Sequence, residues 1–259
     1  MTKQKHPLLF VILIGLTISH SISQKANADK LNNIKVCWES ELKPPYLMQD
    51  NQGVLKGIAV DLVQKMMLLQ DISFQNIVMP WKRCLRSLQR GSVDLVPNAS
   101  FKHNRTEFAL YSREIYRTHL DFFYIKDKIP NAATLNTIQH FTPYKVGGVR
   151  GFNYAFFEEF IAIESGASNR RALLLKLKKG RVDFAILQRE VVTSSYQDDP
   201  EFLTQFASIP APNNSFNAFY VLAGRKHKNA TQLVSAIDTG LAQLRESGAY
   251  QRILDQYLK

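Results

Sequence analysis

The 259 residues carry 33 Lys and Arg against 22 Asp and Glu, are 45% hydrophobic, and include two Cys, 12 Gly and 10 Pro. That length holds one large or two ordinary domains, and the apolar share is ample for a packed core. The composition excludes a disordered chain, a collagen-like repeat and a disulfide scaffold, and a single strongly apolar segment excludes a polytopic membrane protein.

That apolar segment lies at the N-terminus. Lys3 and Lys5 precede the run Leu8 to Ile18, and Ala26-Asn27-Ala28 forms a small-x-small site. This is the pattern of a secretory signal (residues 1–28) cleaved after Ala28, and the run is short for a membrane anchor. Cys37 follows Lys35-Val36 rather than small residues, which argues against a lipoprotein. The chain is therefore expected to be exported. Cleavage would take Lys3, Lys5 and Lys25 off a formal charge of +11 and leave a basic mature chain. Its basic residues are scattered among acids, with no aromatic-interleaved stripe, so no nucleic-acid partner is expected. The excess charge would instead draw a small anion.

After the signal, strands and helices alternate. Ile34 to Trp38 reads as a strand, and Lys43-Pro44-Pro45-Tyr46 as a loop that paired prolines keep out of a helix. Gln52-Gly53 is a turn, and Gly57 leads into Ile58 to Leu69, where Ile58, Leu62, Met66 and Leu69 recur at helical spacing. Ser73 to Met79 is a strand, Pro80 opens the helix Trp81 to Arg90, Gly91 caps it, and Val93 to Val96 follows as a strand. The second half predicts a strand Lys145 to Val149, a helix Tyr154 to Ile163, a helix Arg170 to Lys179 capped by Gly180, and a strand Val182 to Leu187. Thr118 to Ile125 and Phe216 to Leu222 read as β-stretches that could cross between halves, and Ala230 to Arg245 and Tyr250 to Leu258 as closing helices.

A repeat is visible in this order. Leu88-Gln-Arg-Gly91-Ser-Val-Asp94-Leu-Val and Leu177-Lys-Lys-Gly180-Arg-Val-Asp183-Phe-Ala are the same helix–Gly–strand unit. It predicts two α/β lobes of similar build, with Asp94 and Asp183 in structural roles at strand starts. Cys37 and Cys84 fall in a strand and a helix; an oxidising compartment favours one disulfide over two buried thiols.

No catalytic signature is present: no G-x-S-x-G elbow, P-loop, G-x-G-x-x-G after a strand, H-E-x-x-H or C-x-x-C. No metal and no cofactor are expected. The informative stretch runs from Pro80-Trp81 through Gly91-Ser-Val-Asp94, Asn98-Ala-Ser100 and Arg105 to Tyr111-Ser112. With Pro44-Pro45-Tyr46, Gly57-Ile-Ala-Val-Asp61-Leu62 and the closing helix around Gly248-Ala-Tyr250, it resembles the periplasmic solute-binding proteins of family 3, the amino-acid type. The resemblance spans Ile34 to Leu258 and implies a type II periplasmic binding protein fold: two α/β lobes joined by two crossing strands, closing on a small ligand. On that basis lobe 1 would take residues 29–118 and 217–259, and lobe 2 residues 119–216.

Carried over by position, the resemblance makes Arg105 the carboxylate clamp, with Asn98 and Ser100 in the polar loop before it. It makes Trp81 an aromatic stacked on the ligand and sets Tyr46 in the first loop beside it. Glu39 would touch the ligand's side chain, and Asn153 would donate from lobe 2. Amino-acid binders of the family place an acid after a lobe 2 strand for the ligand's ammonium; here that place is read as Arg189, with Glu190 one residue later. Arg189 would repel an ammonium and favour a second anion. It could not serve as the general acid of the family's cyclohexadienyl-dehydratase-like members, because a guanidinium stays protonated. The implied partner is the membrane permease complex of an ABC transporter, or alternatively a sensor receptor, and a monomer is expected.

Overall fold

The computed structural model describes Met1, residues 31–213 and residues 215–258. The signal read at residues 1–28 lies outside the described residues, Met1 excepted. In chain order the elements are β1 (Ile34–Glu39), β2 (Met48–Gln49), β3 (Leu55–Lys56), α1 (Ile58–Leu69), β4 (Phe74–Met79), α2 (Trp81–Arg90) and β5 (Leu95–Ala99). Next come β6 (Ala109–Tyr111), β7 (Tyr116–Ile125), β8 (Val146–Val149), α3 (Ala155–Glu158), β9 (Ile163–Ala167) and α4 (Arg170–Lys178). The last are β10 (Phe184–Gln188), α5 (Arg189–Ser195), α6 (Pro200–Leu203), β11 (Phe206–Pro210), β12 (Phe216–Gly224), α7 (Ala230–Glu246) and α8 (Ala249–Tyr257).

The main sheet runs β4-β1-β5-β12-β7-β10-β8-β9. Its two ends are parallel ladders, β4-β1-β5 and β10-β8-β9, and its middle is antiparallel. β7 and β12 cross between them. The first part of β7 (Tyr116 to His119) pairs with β12, and its second part (Leu120 to Ile125) pairs with β10 and β11. The later residues of β12 turn to β5 and β6. The architecture is the expected one: two α/β lobes joined by two crossing strands. Among the described residues no helix is long and apolar enough to cross a membrane.

Each lobe has its own core. In the first, α1, α7 and α8 bury Ile58, Leu62, Met66, Leu233, Ile237, Leu241 and Ile253 against Val36 and Leu95. On the other side of that sheet, α2 packs Cys84 and Leu88 against Cys37, Val96 and Leu222. Cys37 and Cys84 form a disulfide with Cα atoms 5.7 Å apart. In the second lobe, α4 buries Leu173, Leu174 and Leu177, and a group of aromatic rings (Phe122, Phe141, Phe157, Phe184) fills the opposite face.

The helix–Gly–strand repeat closes identically in both lobes. Gly91 and Gly180 take φ of 78° and 67°, the left-handed conformation that ends a helix most cheaply at glycine. Three residues on, the Asp94 carboxylate accepts from the Lys35 N–H at 2.8 Å while the Asp94 N–H donates to Lys35 C=O at 2.9 Å. Asp183 does the same to Lys145, at 2.8 Å both ways. Both acids fix the entry of the neighbouring strand. Gly57 combines a φ of 118° with close approach, since a Cβ there would lie 2.7 Å from Pro45 O.

Two of the expected elements need correction. The helix expected over Tyr154 to Ile163 is a single turn, α3, and Ile163 opens β9 instead. The strand expected at Val93 to Val96 is set two to three residues later, because the Asp94 side chain occupies the entry. α5, α6, β6 and β11 were not expected; α5 begins directly at the end of β10.

Candidate functional site

The cavity between the lobes measures about 300 Å³, and the C-terminal ends of β1, β5 and β10 converge on it. That is where a doubly wound sheet gathers its loops and helix starts. Glu39, Trp81, Asn98, Ser100, Arg105 and Asn153 all line it. So do Glu41, Lys43, Lys82, Lys102, Arg150, Phe152, Arg170, Gln188 and Phe219. Six cationic side chains thus face two carboxylates.

Arg105 stands in a 3-10 turn after β5 and is 7% exposed. Its Nη1–H donates to Ser100 C=O at 2.7 Å, and its guanidinium lies 5.3 Å from the centre of the Trp81 ring. Trp81, the first residue of α2, therefore backs the arginine as a cation–π partner. Burial lowers the Arg105 pKa, partly offset by the Tyr111 hydroxyl, yet a guanidinium keeps its proton. Beside it, burial and the Arg105 charge lower the Lys102 pKa, so these two cations repel across the rim.

Asn98, the penultimate residue of β5, takes φ 60° and is 3% exposed. Its Oδ1 accepts from the Tyr116 hydroxyl at 2.9 Å, and its Nδ2 has no protein partner. Below, Phe219, Tyr116 and Tyr46 stack in turn, with ring centres 4.9 Å and 4.4 Å apart. Tyr46 is 2% exposed and does not line the cavity, which corrects its expected role. It supports the floor through Tyr116 instead. Burial raises both phenols well above their ordinary range.

Glu39, at the end of β1, meets Lys43 Nζ at 2.5 Å as an ion pair, and Lys43 lies 5.3 Å from the Phe219 ring centre. On the second lobe, Asn153 donates from Nδ2 to Phe101 C=O in the first lobe at 3.2 Å. Tyr154 accepts from the Val149 N–H at 2.8 Å, and burial pushes its phenol up to about 12.

Arg189 also requires correction. It is the first residue of α5, and its Nε and Nη2 donate to the two Asp121 carboxylate oxygens at 2.6 and 2.7 Å. Asp121 is fully buried and also accepts from the Ser208 hydroxyl at 2.6 Å. Arg189 is therefore bound to the wall of its own lobe and does not line the cavity. Glu190 is engaged by the His119 N–H and ring. The cavity position at the end of β10 belongs to Gln188, 4% exposed, with Oε1 unpartnered. Successive strand residues face opposite ways, and Ile186 and Gln188 share the lining face.

Arg170 is also absent from the sequence reading of the site and lines the cavity. It opens α4 directly after Asn169, whose Oδ1 accepts from the Ala172 N–H at 2.8 Å. Arg170 is 7% exposed; its Nη1 donates to Glu41 Oε1 in the first lobe at 3.0 Å, and its guanidinium sits 4.9 Å from the Phe152 ring centre. Nε and Nη2 have no protein partner. Burial lowers its pKa against the opposing pull of Glu41 and Glu39. Among the described residues no group of His, Cys, Asp and Glu is arranged to hold a metal.

Known structures share this fold. The arginine-, lysine-, histidine-binding protein ArtJ of Geobacillus stearothermophilus superposes with a TM-score of 0.69 at 16% identity, over 87% of this chain and 94% of its own. A histidine kinase sensor domain similar to periplasmic binding proteins gives 0.68 at 18% identity, over 87% and 96%. AncCDT-1, an ancestral amino acid-binding protein described as a precursor of cyclohexadienyl dehydratase, gives 0.67 at 16% identity, over 88% and 95%. No curated protein sequence matches the chain. The family of bacterial extracellular solute-binding proteins, family 3, matches residues 34–259, almost everything beyond the N-terminal segment, and the chain belongs to it.

Proposed function

We propose that this chain is exported by its N-terminal segment, with residues 1–28 removed, and works as a monomer in the periplasm. Its two lobes close on a small solute that carries a carboxylate, and the closed form delivers that solute to the permease complex of an ABC transporter. The hinge would lie in the crossing strands, near residues 118 and 217. The observation that carries this reading is a buried guanidinium, Arg105, held by Ser100 and Trp81 in a cavity where cations outnumber carboxylates. A fork-shaped donor of that kind suits a carboxylate in two parallel hydrogen bonds.

Polar groups without protein partners support the same reading, because buried donors and acceptors are normally satisfied. Asn98 Nδ2 offers a donor and Gln188 Oε1 an acceptor. The solute would thus carry a hydroxyl or ammonium for Gln188 as well as its carboxylate. A neutral amide at that place holds an ammonium less strongly than an acid would, and an amide cannot pass a proton as a general acid. Binding rather than turnover is the role the site favours.

The test is mass spectrometry of the solute released on denaturing the purified protein, followed by calorimetry with that compound. A carboxylate-bearing solute bound one to one, and weakened by Arg105→Ala, is expected. Protein that carries no solute and binds no carboxylate would refute the proposal. Uptake of the solute into vesicles holding the permease complex that the protein serves would test delivery.

A further inference from the structure

We propose that the solute carries two carboxylates, one for Arg105 and a second for Arg170. This inference rests on the cavity being a carboxylate site and names the class of molecule that fills it. Arg170 is nine-tenths buried, and the cavity-lining guanidinium has one nitrogen, Nη1, engaged by Glu41. Its Nε and Nη2 remain unpartnered. Those two nitrogens form one edge of the guanidinium and donate in parallel, at the spacing of two carboxylate oxygens. A buried cation with two unmet donors is unfavourable in an empty cleft, and an anion on that edge removes the penalty.

Charge balance points the same way. Both cavity carboxylates already have partners, Glu39 in Lys43 and Glu41 in Arg170. Lys82, Lys102 and Arg105 have no carboxylate partner among the described residues. The residue at the end of β10 is the neutral Gln188, so nothing there repels a second negative group. One carboxylate would leave the Arg170 edge unmet. Two satisfy both arginines.

Titration calorimetry on the full chain, stripped of any carried solute by unfolding and refolding, compares paired probes: succinate with butyrate, glutarate with butyrate, aspartate with asparagine, and glutamate with glutamine. At least one diacid should bind about 30-fold or more tighter than its partner, a margin typical of one charge-assisted contact. Arg170→Gln should bring that ratio to within about threefold, and Arg170→Lys, which keeps the charge without the fork, should lower it partway. Monoacids bound as tightly as diacids, or a preference unchanged in both Arg170 variants, would overturn the inference and leave Arg105 as a monocarboxylate clamp. Binding of no carboxylate at all would overturn the proposed function with it.

Discussion

Opening the Cys37–Cys84 disulfide should lower stability sharply. Its two ends are 47 residues apart, and the bridge ties β1 to α2 inside a buried cluster with Leu88, Val96 and Leu222. In the chain-entropy treatment, a closed loop of that length restricts the unfolded chain by about 4 kcal/mol at room temperature. For a protein of this size each kcal/mol moves Tm by about 2–4 °C, so the loss corresponds to roughly 8–16 °C. Calorimetric melts of oxidised protein, reduced protein and the Cys37→Ala/Cys84→Ala double variant measure it. Ligand affinity should fall alongside, because Cys37 lies two residues before Glu39 and Cys84 one turn after Trp81, both in the cavity wall. A Tm change below about 3 °C in both the reduced and double-variant proteins would refute the loop-closure reasoning. Titratable thiols in exported, unreduced and denatured protein would refute the bridge itself.

Asn98→Asp keeps the side-chain shape but turns the unpartnered Nδ2 donor into a carboxylate oxygen beside the ligand, so calorimetry should show anion affinity lowered by more than about tenfold. Asp94→Ala and Asp183→Ala each remove one charge-assisted bond to the neighbouring strand, at Lys35 and Lys145; each should cost about 1 kcal/mol in urea unfolding, additively because they lie in different lobes. Burial raises the Tyr154 phenol to about 12, from an unfolded value near 10. The folded state therefore keeps the proton longer: this contribution is whole below pH 10 and is lost as pH rises from there through about 12. Tm should fall across that window, and Tyr154→Phe should make the fall shallower.

The parts of the fold that show in the sequence are those fixed locally. The period of Ile58, Leu62 and Met66 and the Pro80 start with the Gly91 stop mark α1 and α2 at their observed bounds. The Gly-x-x-Asp repeat marks both strand entries, because a left-handed glycine and a side-chain clamp act within a few residues. β9 does not show: Ile163-Glu-Ser-Gly-Ala has little strand propensity and is held by pairing with β8. α5 starts without any break after β10, so the sequence offers no boundary there.

At the site, position along a motif brings Glu39, Trp81, Asn98, Ser100, Arg105 and Asn153 to one cavity. Tyr46 misses it by lying one layer beneath, in a ring stack that only tertiary packing creates. Arg189 misses it by one residue, and a shift of one at a strand end exchanges the cavity for the opposite wall. Arg170 reads as an ordinary basic residue in a basic amphipathic helix. Its role depends on Glu41 and Phe152 meeting it from distant parts of the chain.

The central claim is that Arg105 holds the carboxylate of a solute captured between the lobes. Calorimetry of the identified solute against wild type and Arg105→Ala tests it most directly. Loss of one buried charge-assisted clamp should weaken binding by roughly 30- to 1000-fold, with one-to-one stoichiometry for the wild type and folding confirmed by an intact thermal transition for the variant. An affinity unchanged in Arg105→Ala would contradict the account.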